Sequence, residues 1–286
     1  MNMPSASTAL ASPRPPFSVL MSVYAREMPA NLDASLDSLA RSIEPVTELV
    51  LVEDGPLGRD LLEVIESYRP RLNILSVRLP ENRGLPAALN AGLAACGHQF
   101  VARFDSDDLN MPQRFGAQLD FLLSNPDVAV VGSTVEEFDA DTGEVLSRRA
   151  PPRHHAEIRR FAKLRSPMNH PSVMFRKQVV LDAGGYRDIA YLEDYALWVQ
   201  CIVDGAGMAN LPDALVRMRS GVGQMDRRRG WIYIRSEIAF ARVFRRAGFL
   251  TLLDTFVFLA LRIPPRVLPA QVLLKLYARI LRKKRA

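Results

Sequence analysis

The sequence predicts an α/β protein built on a doubly wound, mainly parallel sheet. Three observations predict it. Apolar runs of strand length alternate with segments of helical spacing between residues 17 and 124. The runs are apolar throughout, as in strands covered on both faces, and do not alternate with polar residues. Polar clusters stand where the runs end: Tyr24-Ala25-Arg26-Glu27, Glu53-Asp54-Gly55 and Asp105-Ser106-Asp107-Asp108. Sheets of this type bind ligands at the carboxyl ends of their strands.

The elements follow in order. Residues 17–23 (FSVLMSV) form a buried strand, and Leu32, Leu36, Leu39 and Ile43 have helical spacing behind Asn31 as a candidate N-cap. Residues 48–52 (ELVLV) form a second strand, ended abruptly at Glu53-Asp54-Gly55-Pro56. Leu61, Leu62, Ile65 and Tyr68 mark a helix, residues 72–79 a strand, 85–96 an Ala- and Leu-rich helix and 100–104 a strand. A helix over 112–124 completes the regular half, with Asp108 either a group behind the acidic pair or the N-cap of the helix that Pro112 opens. Beyond it, 128–138 is a strand whose turn at 139–143 (DADTG) leads to a partner strand. A helix over 155–164, a strand over 172–175 and a helix over 194–203 follow, and the text after Gly223 is helical and basic.

The chain has 286 residues, enough for one large domain with an appendage. Hydrophobic residues at 48% and charged residues at 24% exclude a disordered protein. Two cysteines, Cys96 and Cys201, cannot build a disulfide framework, which points to a reducing compartment. Residues 1–216 hold 20 Lys+Arg against 28 Asp+Glu, and residues 217–286 hold 17 against 3, so an acidic body carries a basic tail. The expected organisation is a flexible lead over 1–16, a catalytic domain over 17–216 divided near residue 125, and a basic helical tail over 217–286. No secretion signal is visible at the start of the chain. The best membrane candidate, 249–263, is interrupted by Asp254 and Arg262 and falls short of the ~20 residues a span needs. A cytoplasmic location is expected.

Asp105-Ser106-Asp107 is the sharpest chemical signal. Two carboxylates on a turning chain can converge on a hard divalent cation, Mg²⁺ or Mn²⁺, although the same triplet also serves as a solvated turn. Asp54 closes an earlier strand as either a ligand carboxylate or a turn residue. Asn82-Arg83-Gly84 precedes a helix containing Asn90 and Gly92, and glycine there permits close approach of a backbone to a ligand. Glu193 and Asp194 open a later helix, where the dipole favours an ionised carboxylate and is expected to lower its pKa. His170, in Asn169-His170-Pro171, is either a ligand or a hydrogen-bonded structural residue.

As an ordered series, MSVY, VEDG, NRGLPAALNAG, FDSDD and LEDYALW resemble family 2 glycosyltransferases with the GT-A fold. With NHPSVMFRK and QMDRRRGW the set resembles the bacterial branch that builds exopolysaccharide, capsule and lipopolysaccharide, over residues 17–246. The resemblance implies a nucleotide site formed by Ser22, Val23, Tyr24, Glu27, Asp54, Arg83 and Asp105. It implies a divalent metal, Mn²⁺ or Mg²⁺, on Asp105 and Asp107, with His170 a further candidate ligand. Asp194 is then the general base, with Glu193 beside it positioning acceptor or loop. Residues 224–231 partly match the Gln-x-x-Arg-Trp stretch of processive relatives. Gln224 and Arg227 keep the spacing, but Arg228, Arg229 and Gly230 then intervene before Trp231, which argues for transfer of a single sugar. Arg228 is the candidate for the donor diphosphate, because guanidinium binds phosphate through paired hydrogen bonds, the alternative being a loop on acidic lipid or a solvated one.

The expected reaction is inverting transfer of a hexose from a nucleotide-sugar donor, with UDP the expected nucleotide, to a hydroxyl of a lipid-linked glycan acceptor. The basic tail suits an anionic membrane surface, on the inner face of the cell membrane, or a helical cap on the catalytic domain. No nucleic-acid motif accompanies its charges. A polyprenyl phosphate acceptor and a non-catalytic membrane scaffold are the competing readings. A nucleotidyltransferase would need a Gly-rich, Arg-containing loop after the first strand, where MSVYARE stands. Specificity is expected in the loops over 149–169 and 221–231.

Overall fold

The computed structural model describes residues 14–220 and 231–267. In its regular half, β1 (Phe17–Val23), α1 (Pro29–Ala40), β2 (Glu48–Glu53), α2 (Arg59–Tyr68), β3 (Ile74–Arg78), α3 (Leu85–Ala95) and β4 (Phe100–Arg103) alternate as the sequence predicts. There follow β5 (Leu109–Asn110), α4 (Arg114–Ser124), β6 (Val128–Asp139), β7 (Val145–Arg149), α5 (His155–Phe161), β8 (Met174–Arg176), α6 (Lys177–Asp182) and α7 (Glu193–Val203). The described chain continues through β9 (Gly207–Ser220), α8 (Trp231–Arg246), α9 (Leu252–Arg262) and α10 (Pro264–Val267).

Among the described residues the strands form one sheet in the order β3-β2-β1-β4-β8-β6-β9-β5, with β7 paired to β6. The first four strands are parallel, β8 runs antiparallel to both β4 and β6, and β9 is parallel to β6. Side chains alternate between the faces of each strand. Leu20, Val50 and Val52 therefore enter a core closed by α3, α7 and α8, while Val19, Met21, Leu49 and Leu51 enter one closed by α1, α2 and α4. Cys96 and Cys201 are both free and buried.

The differences from expectation have local causes. Pro29 sets the start of α1, so the N-cap position falls on Met28, and Asn31 lies inside the first turn. Helix α4 starts at Arg114 with no side-chain cap, and Asp108 instead accepts the backbone N–H of Arg219 at 2.9 Å. Residues 170–172 form a 3₁₀ turn, and the strand begins at Met174. Strand β9 has no counterpart in the sequence reading. Pro212 and Asp213 break its pattern, but they sit at a register shift where Leu211 faces Ser133 and Ala214 faces Thr134, so the ladder bulges and resumes. The strand also crosses residue 216, where the catalytic domain was expected to end.

Nor do the first helices of the basic segment stand apart. Phe240, Phe244, Phe249 and Phe258 belong to the same core as Tyr195 and Trp198. Asp254, which interrupts the apolar run, completes a capping box with Thr251 at the start of α9 and pairs with Lys163 at 2.7 Å. At the other end, Arg14 belongs to the body, pairing with Glu44 and Asp120 at 2.6 and 2.7 Å. Among the described residues no helix is long and apolar enough to cross a membrane.

Gly55 fixes how the loop after β2 meets the loop before α3. Its φ is +86°, and a Cβ there would lie 2.6 Å from the backbone nitrogen of Asn82. Alanine adds a left-handed strain and a backbone clash at once. Gly55→Ala is expected to cost about 2 kcal/mol or more, measured by denaturant unfolding. An unchanged midpoint would show that the two loops are not in contact.

Candidate active site

At the carboxyl ends of β1, β2 and β4 the loops enclose a cavity of about 510 Å³ lined by Ser22, Tyr24, Glu27, Asp54, Asp105 and Asp107, among others. Two expected residues do not line it with their side chains. Val23 is in the core, and Arg83 contributes its backbone, donating to Asp54 Oδ1 at 2.7 Å while Gly84 donates to Oδ2 at 3.1 Å. Asp54 thus holds the loop at the start of α3. Glu27 ties the first loop to the third, accepting from the backbone of Met28 at 2.9 Å and from the Ser106 hydroxyl at 2.6 Å. Arg228 lies outside the described residues.

Asp105, Asp107 and Asp108 each bring one carboxylate oxygen within 4.8 Å of the others. Burial and the charges of Asp105 and Glu27 push Asp107 up to about 7, and burial with its two acidic neighbours raises Asp108 well above the usual carboxylate range. Oδ2 of Asp108 is buried and lacks a protein partner. A hard divalent cation with oxygen ligands would satisfy that atom and cancel the repulsion, so the residues fit such an ion. The third acid is Asp108, and His170 is not in the group. Nε2 of His170 lies 3.1 Å from the Tyr186 hydroxyl, and burial together with the charge of Arg103 keeps the ring neutral. Asn90 in turn clamps Tyr186, accepting from its N–H and donating to its carbonyl, both at 2.8 Å.

Arg103 was not singled out by sequence, although a cation between apolar residues of a buried strand was the available signal. Its guanidinium is 2% exposed and pairs with Asp105, while Nε and Nη1 have no hydrogen-bond partner. Its charge opposes the upward shifts of Asp107, Asp108, Glu193 and Asp194. Arg219, at the end of β9, adds a bond from Nε to the Asp107 carbonyl at 2.9 Å.

Glu193 and Asp194 line a second cavity, of about 590 Å³. Burial and the neighbouring Asp194 push Glu193 up to about 7. Asp194 is raised as well. Burial outweighs the Tyr195 N–H and the Ser166 hydroxyl, which donates to Oδ2 at 3.3 Å, so the helix terminus does not lower this pKa as expected. The charge of Asp105 also reaches Glu193. The two carboxylate groups therefore occupy adjoining parts of one electrostatic field, one beside each cavity.

The family model for glycosyl transferase family 2 matches residues 18–185. The chain is 40% identical over 264 residues to the amylovoran biosynthesis glycosyltransferase AmsE of Erwinia amylovora, covering 91% of this chain and 97% of that one. It is 37% identical over 270 residues to the Escherichia coli UDP-Gal:alpha-D-GlcNAc-diphosphoundecaprenol beta-1,3-galactosyltransferase, covering 94% and 98%. Among solved structures it resembles S. aureus TarS 1–349 in complex with UDP-GlcNAc, with a TM-score of 0.65, 20% identity and coverage of 87% and 72%. It also resembles the mannosyltransferase PcManGT of Pyrobaculum calidifontis in complex with GDP-Man and Mn²⁺, with a TM-score of 0.60, 17% identity and coverage of 94% and 81%.

The crowding of acids has a measurable consequence of opposite sign with and without metal. Asp107→Asn is expected to stabilise the metal-free protein at pH 8 by about 1 kcal/mol, since it removes like-charge repulsion. The same change should abolish the rise in melting temperature on adding Mn²⁺. Loss of stability in EDTA, or an undiminished Mn²⁺ response, would remove Asp107 from the cation site.

Proposed function

The chain belongs to glycosyl transferase family 2 and has the GT-A fold, and from that premise we propose that it moves one sugar, with inversion, from a UDP-sugar to a hydroxyl of a lipid-linked glycan in surface polysaccharide synthesis. The observation that carries this is the pairing of a cation-fitting acidic cluster beside one cavity with a raised carboxylate pair in the next. The two relatives described above, one in amylovoran biosynthesis and one acting on a sugar diphosphoundecaprenol, supply the polysaccharide and the lipid-linked acceptor.

In this scheme Ser22, Tyr24 and the loop held by Asp54 receive the nucleoside. Asp105, Asp107 and Asp108 would hold Mn²⁺ or Mg²⁺, which neutralises charge on the departing diphosphate. Asp194 takes the proton from the acceptor hydroxyl as that oxygen attacks the anomeric carbon from the face opposite the diphosphate. Ser166 orients the accepting carboxylate, and Glu193 places the acceptor. A carboxylate raised toward neutrality is better matched to this task than one held low by a helix terminus.

The apolar face of α9 supports a membrane-surface location. Leu252, Leu253 and Phe256 lie on one side of the helix and are 71%, 70% and 70% exposed. Residues 275–285, which lie outside the described residues, add six lysines and arginines.

The first test is release of nucleotide from a panel of nucleotide sugars by the purified protein with Mn²⁺, Mg²⁺ or EDTA, followed by donor-binding calorimetry. Binding and turnover of one donor only with metal are expected, and no metal-linked binding of any donor would sink the proposal. Asp194→Asn should lower kcat for transfer by about 10²- to 10⁴-fold while leaving donor binding intact. The carboxylate pair acts ionised, and Glu193 faces Asp194, Asp105 and Arg103, with a pKa of about 7. Activity should therefore fall as pH drops through about 7, and Glu193→Gln should shift that limb while leaving the one that protonation of Asp194 imposes. Binding to phosphatidylglycerol vesicles should weaken when Leu252, Leu253 and Phe256 are changed together to serine; unchanged sedimentation would move the membrane contact elsewhere.

A further inference from the structure

The cavity that holds Glu193 and Asp194 carries more positive charge than a neutral glycan requires. Arg149, Arg165, Arg262 and Arg266 all line it. Arg262 and Arg266 share one carboxylate, that of the buried Glu237, at 2.6 and 3.3 Å. Arg149 approaches Glu137 only at 3.5 Å in a half-exposed pair, and Arg165 has no ion pair among the described residues. Guanidinium groups set around a cavity suit an anion with several oxygens, which each can grip through paired donors.

A second observation concerns Tyr191, two residues before Glu193. It is the one non-glycine residue with positive φ among those described, at 64°. A bulky residue pays a conformational penalty there and stays only where packing holds it. The packing is a stack: the Tyr191 ring lies 4.2 Å from Tyr233 at an interplanar angle of 9°, and the Arg266 guanidinium lies 4.6 Å from the Tyr233 centroid. Tyr191 is nevertheless 52% exposed, and it lines the same cavity. The strain thus presents an aromatic face beside the carboxylate pair, a surface on which a sugar ring can lie.

A third observation is continuity. A shallow groove of about 620 Å³, lined by Ala150, Pro151, Pro152 and Phe161 together with the charged Glu157 and Arg160, shares Ala150, Pro151 and Phe161 with the arginine-lined cavity. Carboxylates, aromatic platform, guanidinium groups and groove are therefore joined in one surface.

We propose that this surface is a subsite for a lipid-linked sugar diphosphate: Tyr191 carries the sugar in front of Asp194, Arg149 and Arg165 grip the diphosphate, and the groove beside Phe161 takes the start of the hydrocarbon chain. The proposal rests on transfer to a lipid-linked acceptor and gives that acceptor its contacts. The diphosphate here is the acceptor's, distinct from the donor's, which belongs to the acidic cavity.

The test compares two acceptors of the same sugar, N-acetylglucosaminyl diphosphate and neutral N-acetylglucosaminide, both carrying an undecyl tail. The wild-type KM is expected to be at least about tenfold lower for the diphosphate. Arg165→Gln and Arg149→Gln should each raise KM for the diphosphate acceptor, and the double variant should bring the two KM values together, with kcat changed much less. Mn²⁺-dependent UDP binding by calorimetry reports that each variant is folded. Tyr191→Phe should keep KM for both acceptors, and Tyr191→Ser should raise both. Equal wild-type KM values, equal losses on both acceptors in the arginine variants, or a rise in donor KM instead would overturn the subsite while leaving the transferase reading standing. Absence of transfer to either acceptor by a protein that binds donor would sink lipid-linked transfer and this subsite together.

Discussion

A buried positive charge under the acidic rim is the constraint from which the site follows. Taking a guanidinium out of water costs several kcal/mol unless carboxylates and hydrogen bonds offset it. Arg103 meets Asp105 directly and feels Asp108 as well, yet keeps two unpartnered nitrogen atoms. The same charge opposes the rise of every carboxylate around it, so cation and acids stabilise one another across the boundary between the cavities. A second buried arginine fixes its backbone: Arg114 donates to the Arg103 carbonyl at 2.8 Å and to Gln118 at 3.0 Å, and Gln118 donates to the Ser172 carbonyl at 2.8 Å. The carbonyl ends of β4 and of the turn before β8 are thereby held by side chains of α4. Rigid placement matters because three acids crowded within one cation's reach would otherwise move apart.

The sheet divides the labour. Its parallel strands β1, β2 and β4 end in loops that are stitched to each other, Glu27 to Ser106 and Asp54 to the loop before α3, and these enclose the acidic cavity. The antiparallel strand β8 and the long pair β6–β9 turn the other half of the chain onto the same edge. Arg219 at the end of β9 is bonded to the Asp107–Asp108 turn, so the second half braces the acids of the first.

The parallel half was legible in the sequence because its strands are buried on both faces and read as unbroken apolar runs. The acids at their ends were legible only as an ordered series, since each one alone reads equally well as a turn residue. The Glu193-Asp194 pair was found with its helix start displaced by a single residue. What was missed depends on contacts distant in sequence. Strand β9 hides behind Pro212 and Asp213, whose disruption is absorbed by a bulge visible only against β6. Asp54 lines the first cavity, but its further part, holding two backbone N–H groups of the loop before α3, shows only in the fold. His170 looked available for a metal, but its Nε2 is occupied by a tyrosine that Asn90 positions. The direction of the Asp194 shift was misjudged because helix-terminus stabilisation is local and legible, whereas the burial that outweighs it comes from the whole fold.

The basic segment changes meaning once its first helices are seen in place. Read as sequence, residues 217–286 form a basic tail that either binds a membrane surface or caps the catalytic domain. In the structure, Phe240, Phe244 and Phe258 complete the core around Tyr195, and Tyr233, Arg262 and Arg266 form one wall of the cavity that contains Asp194. The remaining wall comes from β7 and the loops flanking α5. No contiguous stretch of chain could encode that cavity, so no motif could announce it. The positive charge that makes the second half of the chain basic is, in part, spent inside this wall, where Arg262 and Arg266 both pair with the buried Glu237. Excess charge on a solvated helix is screened and costs little. Charge lining a cavity beside two carboxylates is screened far less, so it acts on whatever enters that cavity.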